Sequence, residues 1–316
     1  MEPGRVVERR GKMKMIRFEK MGDHVPAIIV GCMRMREIDA KQAERFVAEA
    51  LEMGANYFDH ADIYGGGICE EMFAKAIHMT PSVREKIFIQ DKCGIVIGKK
   101  YDLSKEYILR SVEESLKRLH TDYLDMFLLH RPDALMDSEE IAEAFDVLEK
   151  SGKVRSFGVS NMKPVQIELL KKYVQQPLEV NQLQLSIMNA SMITNGMNVN
   201  MQGELAVDRD GDVLDYCRLH DITIQAWSPF QSAHGVFLQN EKFPELNRKI
   251  MEIANKYQVS DTTIALAWIM RIPGSIQPII GSMNIQRMQD CIKAADIRLT
   301  RDEWYEIYLA AGYVLP

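Results

Sequence analysis

Short apolar runs and segments of helical period alternate along this chain from residue 27 onward. Residues 27–30, Ala-Ile-Ile-Val, form an uninterrupted apolar run stopped by Gly31, and residues 39–53 carry Ala43, Phe46, Val47, Ala50 and Leu51 at helical spacing. That succession predicts strand, loop and helix, with Gly54 at the C′ position that ends the helix. The unit then repeats. Residues 57–59, 87–92, 123–130, 154–160, 180–185, 223–227 and 277–280 predict further short strands. The run over 123–130 is apolar almost throughout, as in a strand buried on both faces of a parallel sheet.

Helical patterns stand between these strands. One covers residues 70–78, one presents Ile108, Val112, Leu116 and Leu119 behind a Ser104 cap, and one starts at Ser138 and carries Ile141, Ala144, Phe145 and Leu148. Pro164 suits a first helical turn, Val213, Leu214 and Cys217 share a face, and residues 245–257, 261–269, 284–294 and 300–311 complete the series. Residues 189–211 and 230–240 lack clear periodicity and read as long loops.

Eight strand and helix units, with no Pro- or Ser-rich linker and no shift of composition, predict an α/β protein built as a single closed (β/α)8 TIM barrel. An extra C-terminal helix and long loops after the strands belong to this expectation. Residues 1–14 read as a polar leader and residues 15–316 as the one domain. An open doubly wound sheet is the other arrangement of such units. It ordinarily carries Gly-x-Gly-x-x-Gly after its first strand, and none stands there.

Composition narrows the partners. With 316 residues, 47% hydrophobic, the chain can bury a large core, and its formal charge of −6 and pI near 5.7 argue against nucleic-acid and anionic-membrane surfaces. No apolar run of membrane-spanning length and no signal-peptide core is seen, so a cytoplasmic location is expected. The five cysteines are scattered without metal-ligand spacing, so neither a disulfide framework nor a metal site is expected. Cys93, next to a lysine, reads either as a small core residue or as a thiol of lowered pKa.

The chemistry gathers at strand ends. Phe58-Asp59-His60-Ala61-Asp62-Ile63-Tyr64-Gly65 places a carboxylate and a phenol where a strand meets a glycine loop, Lys92 ends the third strand and His130 the fourth. Taken singly, these are a strand cap, a packed ring, a solvated lysine and a buried histidine. Neighbouring strands of a barrel bring them into one pocket. A phenol is a sluggish acid at neutral pH, and an ammonium beside it favours the phenolate. The expected roles are Tyr64 as general acid, Lys92 as its tuner, Asp59 as the partner of the lysine and His130 as a hydrogen-bond donor to a carbonyl oxygen.

At these residues the chain resembles the aldo-keto reductase superfamily, over about residues 15–311. Asp-x-Ala-x-x-Tyr-Gly at Asp59 to Gly65, Lys92, and Leu-Leu-His ending at His130 match the catalytic tetrad in order. The resemblance implies NADPH-dependent reduction of a small aldehyde or ketone, with NADH possible, and no metal. It also implies that Ser160, Asn161 and Gln182 hold the nicotinamide carboxamide and that Trp227 stacks on the nicotinamide. Ser228, with nearby backbone, would meet the pyrophosphate, Phe230 belongs to the same cofactor-binding segment, and Gly281, Ser282 and Arg287 would meet the adenosine 2′-phosphate. Gly281 stands where the family commonly has lysine, and Cys291 where it usually has asparagine. Some family members are dinucleotide-binding regulatory subunits with little turnover, which is the second function the resemblance allows. Substrate choice is expected from Met33, Arg34 and Met35, the segment after His130, residues 189–211 and residues 231–239, with Arg34 and His234 as candidates for an anionic group.

Overall fold

The structure is a computed structural model that describes residues 15–315, so the leader over residues 1–14 lies outside the described residues. Eight parallel strands close into a barrel in chain order: β1 (Ile29–Gly31), β2 (Tyr57–Asp59), β3 (Phe88–Cys93), β4 (Leu124–Leu129), β5 (Val154–Ser160), β6 (Leu178–Gln184), β7 (Thr223–Trp227) and β8 (Ile276–Ile280). Closure is made by β8 on β1, with Ile279 opposite Ile29 and Ile280 opposite Val30. The predicted (β/α)8 TIM barrel is therefore the observed fold. Each strand lies within a residue or two of its expected bounds, because β-branched runs buried on both faces leave little freedom of register.

The helices around the barrel follow from local chemistry. In Ala40–Glu52 an Asp39/Gln42 capping box satisfies the first turn while Ala43, Phe46, Val47 and Ala50 face the strands. Lys105–Leu119 starts on the Ser104 side chain and stops at His120 in the left-handed region. The extra C-terminal helix, Arg301–Ala310, docks on Asp261–Met270 through two indoles stacked 4.7 Å apart. Each indole N–H donates to the other tryptophan's carbonyl, both at 3.0 Å, which fixes the pair in register.

Two features of the strands prepare the site. Gly158 in β5 is required by close approach, since a Cβ there would stand 2.7 Å from Leu128 Cδ2 and 2.8 Å from the Val180 carbonyl. The interior is partly polar. Gln277 donates to the Pro26 carbonyl at 2.5 Å, Gln225 to Gln277 at 3.1 Å, and Gln90 to Gln225 at 2.8 Å and to Asp59 at 2.6 Å, a chain that reaches the carboxylate. Buried amides of this kind are tolerated only when paired, and here each fixes the next.

Three local readings need correction. Residues 15–26 hold an antiparallel hairpin, Met15–Phe18 with Gly22–Pro26, whose Ile16, Phe18 and Val25 pack on Ile29, Tyr57 and Val180 inside the barrel. The sequence shows only two alternating apolar positions in its first strand, too few to mark it. Residues 189–211 contain a helix, Ser191–Met197, and a single 3-10 turn, Glu204–Ala206. Within residues 230–240, Gln231–Ser232 pairs with Gly235–Val236 as a small hairpin.

Candidate active site

Asp59 closes β2, Lys92 points inward from β3, and His130 follows the last residue of β4. Tyr64 is delivered by the turn after β2, where Gly65, Gly66 and Gly67 take φ of 63°, 65° and 95°. Three successive left-handed residues are cheap only for glycine, so this run swings the tyrosine back over the strand ends. The Lys92 ammonium donates to Asp59 Oδ1 at 2.6 Å and to the His60 carbonyl at 2.5 Å. It lies 5.0 Å from the centroid of the Tyr64 ring, and the His130 ring meets that ring edge-on at 6.2 Å. The four predicted catalytic side chains are thus brought together.

Burial sets their electrostatics. It pushes the Lys92 ammonium down, but the charges of Asp59 and Tyr64 and the hydrogen bond to Asp59 push it further up, so the lysine stays protonated above its ordinary range. Burial also raises the Tyr64 phenol to about 12, against the lowering by the Lys92 charge and hydrogen bond. This reverses the net shift expected from sequence, because a pocket wall desolvates the phenolate more than one neighbouring ammonium can offset. His130 is lowered to about 2 by burial and by Lys92 and Arg131, so its ring is neutral. Its Nδ1 is enclosed without a partner while the ring lines the cavity, which leaves Nε2 to face a ligand.

A cavity of about 460 Å³ opens over these groups, lined among others by Tyr64, His130, Ser160, Asn161, Gln182, Trp227, Ser228, Phe230, Gly281, Ser282 and Arg287. Every residue proposed from sequence for the cofactor is in that wall. Ser160 donates to the Gln182 main-chain carbonyl at 2.9 Å and accepts from Asn161 at 2.7 Å, while the Trp227 indole donates to Asn161 at 3.2 Å. The Gln182 amide N–H₂ is spent on Asp59 and Gln225, both at 3.1 Å, and only its carbonyl oxygen stays open to a ligand. Asn284 caps the helix Ile285–Lys293, and the Arg287 guanidinium in its first turn has neither a hydrogen bond nor an ion pair to a described residue.

Some expectations about substrate loops fail. Residues 189–211 contribute nothing to the cavity wall, and His234 is an exposed residue beside Phe243, outside that wall. Met35 is buried in the core, whereas Met33 and Arg34 do line the cavity. Cys93 is fully buried and its thiol is pushed up by burial, so it is a core residue. Among the described residues no group of acidic, histidine and cysteine side chains suits a metal ion, and no helix is long and apolar enough to cross a membrane.

Sequence reading missed the supports. Tyr57 donates to Gln90 at 2.9 Å, and Gln90, Gln182 and Lys92 converge on one oxygen of Asp59. The available signal was period two: Gln90 and Lys92 are the inward pair of β3. Arg131, which follows His130 and lines the cavity, was missed as well.

Comparison with known proteins agrees with this geometry. The model of the Aldo/keto reductase family matches residues 27–309. The uncharacterized oxidoreductase YcsN of Bacillus subtilis is 36% identical over 92% of this chain and 95% of its own, and the oxidoreductase YdhF of Escherichia coli 34% over 96% and 100%. A 6-dehydroglucose reductase of Agrobacterium fabrum is 33% identical over 84% of this chain and 86% of its own. Among solved structures, an aldo/keto reductase from Klebsiella pneumoniae in complex with NADP and acetate superposes with a TM-score of 0.75 at 26% identity, covering 93% of this chain and 94% of its own. A closed barrel, a buried lysine and carboxylate under a tyrosine, and these matches lead to one conclusion: the chain belongs to the aldo/keto reductase family.

Proposed function

We propose that this protein reduces an aldehyde or ketone to an alcohol, with the hydride from NADPH and the proton from Tyr64. The observation that carries the reading is the convergence of the Tyr64 ring, the Lys92 ammonium locked on Asp59, and the neutral His130 ring, with Tyr64 and His130 lining one cavity. A bound NADPH would supply the hydride. Tyr64 and His130 would both point hydrogen-bond donors at the carbonyl oxygen, where negative charge develops as the hydride arrives. Lys92 would stabilise the phenolate left after proton transfer, and Asp59 with its two glutamines would keep that ammonium in place.

The residues present fit the dinucleotide. The open Gln182 side-chain oxygen and the paired Ser160 and Asn161 match a carboxamide, and the Trp227 plate matches a planar ring. Arg287, with no ion pair among the described residues, Ser282 and a helix N-terminus match a 2′-phosphate, which favours NADPH over NADH. A Klebsiella pneumoniae structure in complex with NADPH, 26% identical with a TM-score of 0.76, supports the same choice. The test is a panel of aldehydes and ketones with each cofactor, following NADPH oxidation and alcohol formation. Stoichiometric oxidation and alcohol formation are expected. Tight NADPH binding with no oxidation across the panel would overturn this reading in favour of a regulatory subunit.

A further inference from the structure

The guanidinium groups that hold this fold together are neutralised: Arg84 by Asp125 at 2.6 Å, Arg118 by Glu70 at 2.8 Å, and Arg155 by Asp125 at 3.3 Å. Arg131 is not. It is half-buried in the cavity wall beside His130, and it has neither a hydrogen bond nor an ion pair to any described residue. What places it is the face of Trp227, with the guanidinium carbon 5.9 Å from the ring centroid. Stacking of this kind steadies the guanidinium plane and leaves its N–H edges free.

The Arg131 nitrogens are not enclosed by protein, so the guanidinium edge reaches the cavity with no described acceptor on it, and the neighbouring charges favour an anion there. Burial first, and then the charges of Lys92 and Arg131, depress His130, whose charged neighbours are thus both positive. Of the two carboxylates in the wall, Asp59 is engaged by Lys92 at 2.6 Å and Asp261 accepts from Gln239 at 2.9 Å. Arg34, after β1, is another cavity arginine without a hydrogen bond or ion pair to a described residue, on a chain whose formal charge is −6. The two arginines bracket the strands β2 and β3 that carry the site of Tyr64 and Lys92. No described residue supplies an acceptor to Arg131, so an anionic ligand in the cavity can, and the place of Arg131 next to His130 puts that acceptor on the substrate near the reacting carbon.

We propose that Arg131 selects carbonyl substrates bearing an oxyanion, a carboxylate or a phosphate, through fork-like charged hydrogen bonds. This rests on the reading of the site as that of a carbonyl reductase. The Met33, Ile63, Ile95 and Trp227 side chains supply the apolar wall for the carbon skeleton between the two polar ends.

The test compares kcat/KM for matched pairs with NADPH: the 2-, 3- and 4-carboxybenzaldehydes against their methyl esters, and glyceraldehyde 3-phosphate against glyceraldehyde. In the parent enzyme at least one charged member should exceed its neutral partner by about 10- to 100-fold, the worth of one charge-assisted pair. The pair that shows it tells carboxylate from phosphate. In Arg131→Gln that ratio should fall toward one, and Arg131→Lys should restore part of it. Equal loss on both members of a pair, a rise in the KM of NADPH alone, or a charge preference that survives Arg131→Gln would overturn the proposal. A parent enzyme that prefers every neutral member would do so too. Failure to oxidise NADPH with any aldehyde would instead strike the reductase reading beneath it, and binding of 4-(hydroxymethyl)benzoate over its methyl ester to the NADP+ complex, by calorimetry, still reports on Arg131.

Discussion

Lys92→Met removes the two chief influences that lower the Tyr64 pKa, the charge of the ammonium and its hydrogen bond, and leaves burial and Asp59 to raise it. With the ammonium 5.0 Å from the ring centroid, Coulomb's law at an effective dielectric of about 20 gives about 3 kcal/mol. That is about two pKa units. The substitution also strands Asp59, and breaking a buried pair costs about 3–5 kcal/mol, although Gln90 and Gln182 still donate to it. Asp59→Asn combined with Lys92→Met removes the lone charge and serves as the folded reference, checked by thermal melting. The assay is NADP+-dependent alcohol oxidation against pH, which needs the phenolate. Below a pKa of about 12 the rate should rise tenfold per pH unit in the parent. In Lys92→Met the line should keep its slope and drop by about two orders of magnitude, and in the double variant, which also loses the Asp59 charge that raises Tyr64, it should drop by less, with a parallel loss in aldehyde reduction in each. A folded Lys92→Met variant whose pH profile and rate match the parent would refute the electrostatic role of Lys92.

Two further outcomes follow from single positions. A Cβ at Gly281 meets nothing within 4 Å, so Gly281→Lys adds an ammonium beside Ser282 and Arg287 without strain. It should tighten NADPH by about five- to tenfold and leave NADH nearly unchanged, read by titration calorimetry, and equal effects would place the 2′-phosphate elsewhere. His60 is buried with both ring nitrogens unpartnered, and burial with the Lys92 charge lowers it to about 3. Its folded pKa lies below the unfolded value, so its stabilising share is whole above about pH 6.5 and is lost toward pH 3, by up to about 1.4 kcal/mol per unit. His130 acts with the same sign, whereas Asp62, raised to about 6 by burial, costs stability as pH rises through its window. His60→Leu should flatten the acid limb in urea unfolding by about that slope, and an unchanged limb would contradict the assignment.

The sequence carried the barrel and the residues around its mouth. Strands such as Leu124–Leu129, buried on both faces, and helices with strong caps, such as Lys105–Leu119, are local and therefore readable. Asp59, Tyr64, Lys92 and His130 were readable because each ends or follows a strand, and strand ends converge. Depth was not readable. The sign of the Tyr64 shift depends on how far the pocket desolvates it, a property of many distant residues. The glutamine chain from Gln277 to Asp59 joins residues as far apart as 59 and 277, and that Arg131 has no hydrogen bond or ion pair to a described residue is seen only in the folded chain.

The most direct measurement is the Tyr64→Phe variant, with NADPH affinity and single-turnover reduction of a good aldehyde determined side by side. If Tyr64 delivers the proton, cofactor binding stays within a few fold while the chemical step slows by about two orders of magnitude or more. Reduction at the parent rate with NADPH bound as before would show that the proton comes from another group.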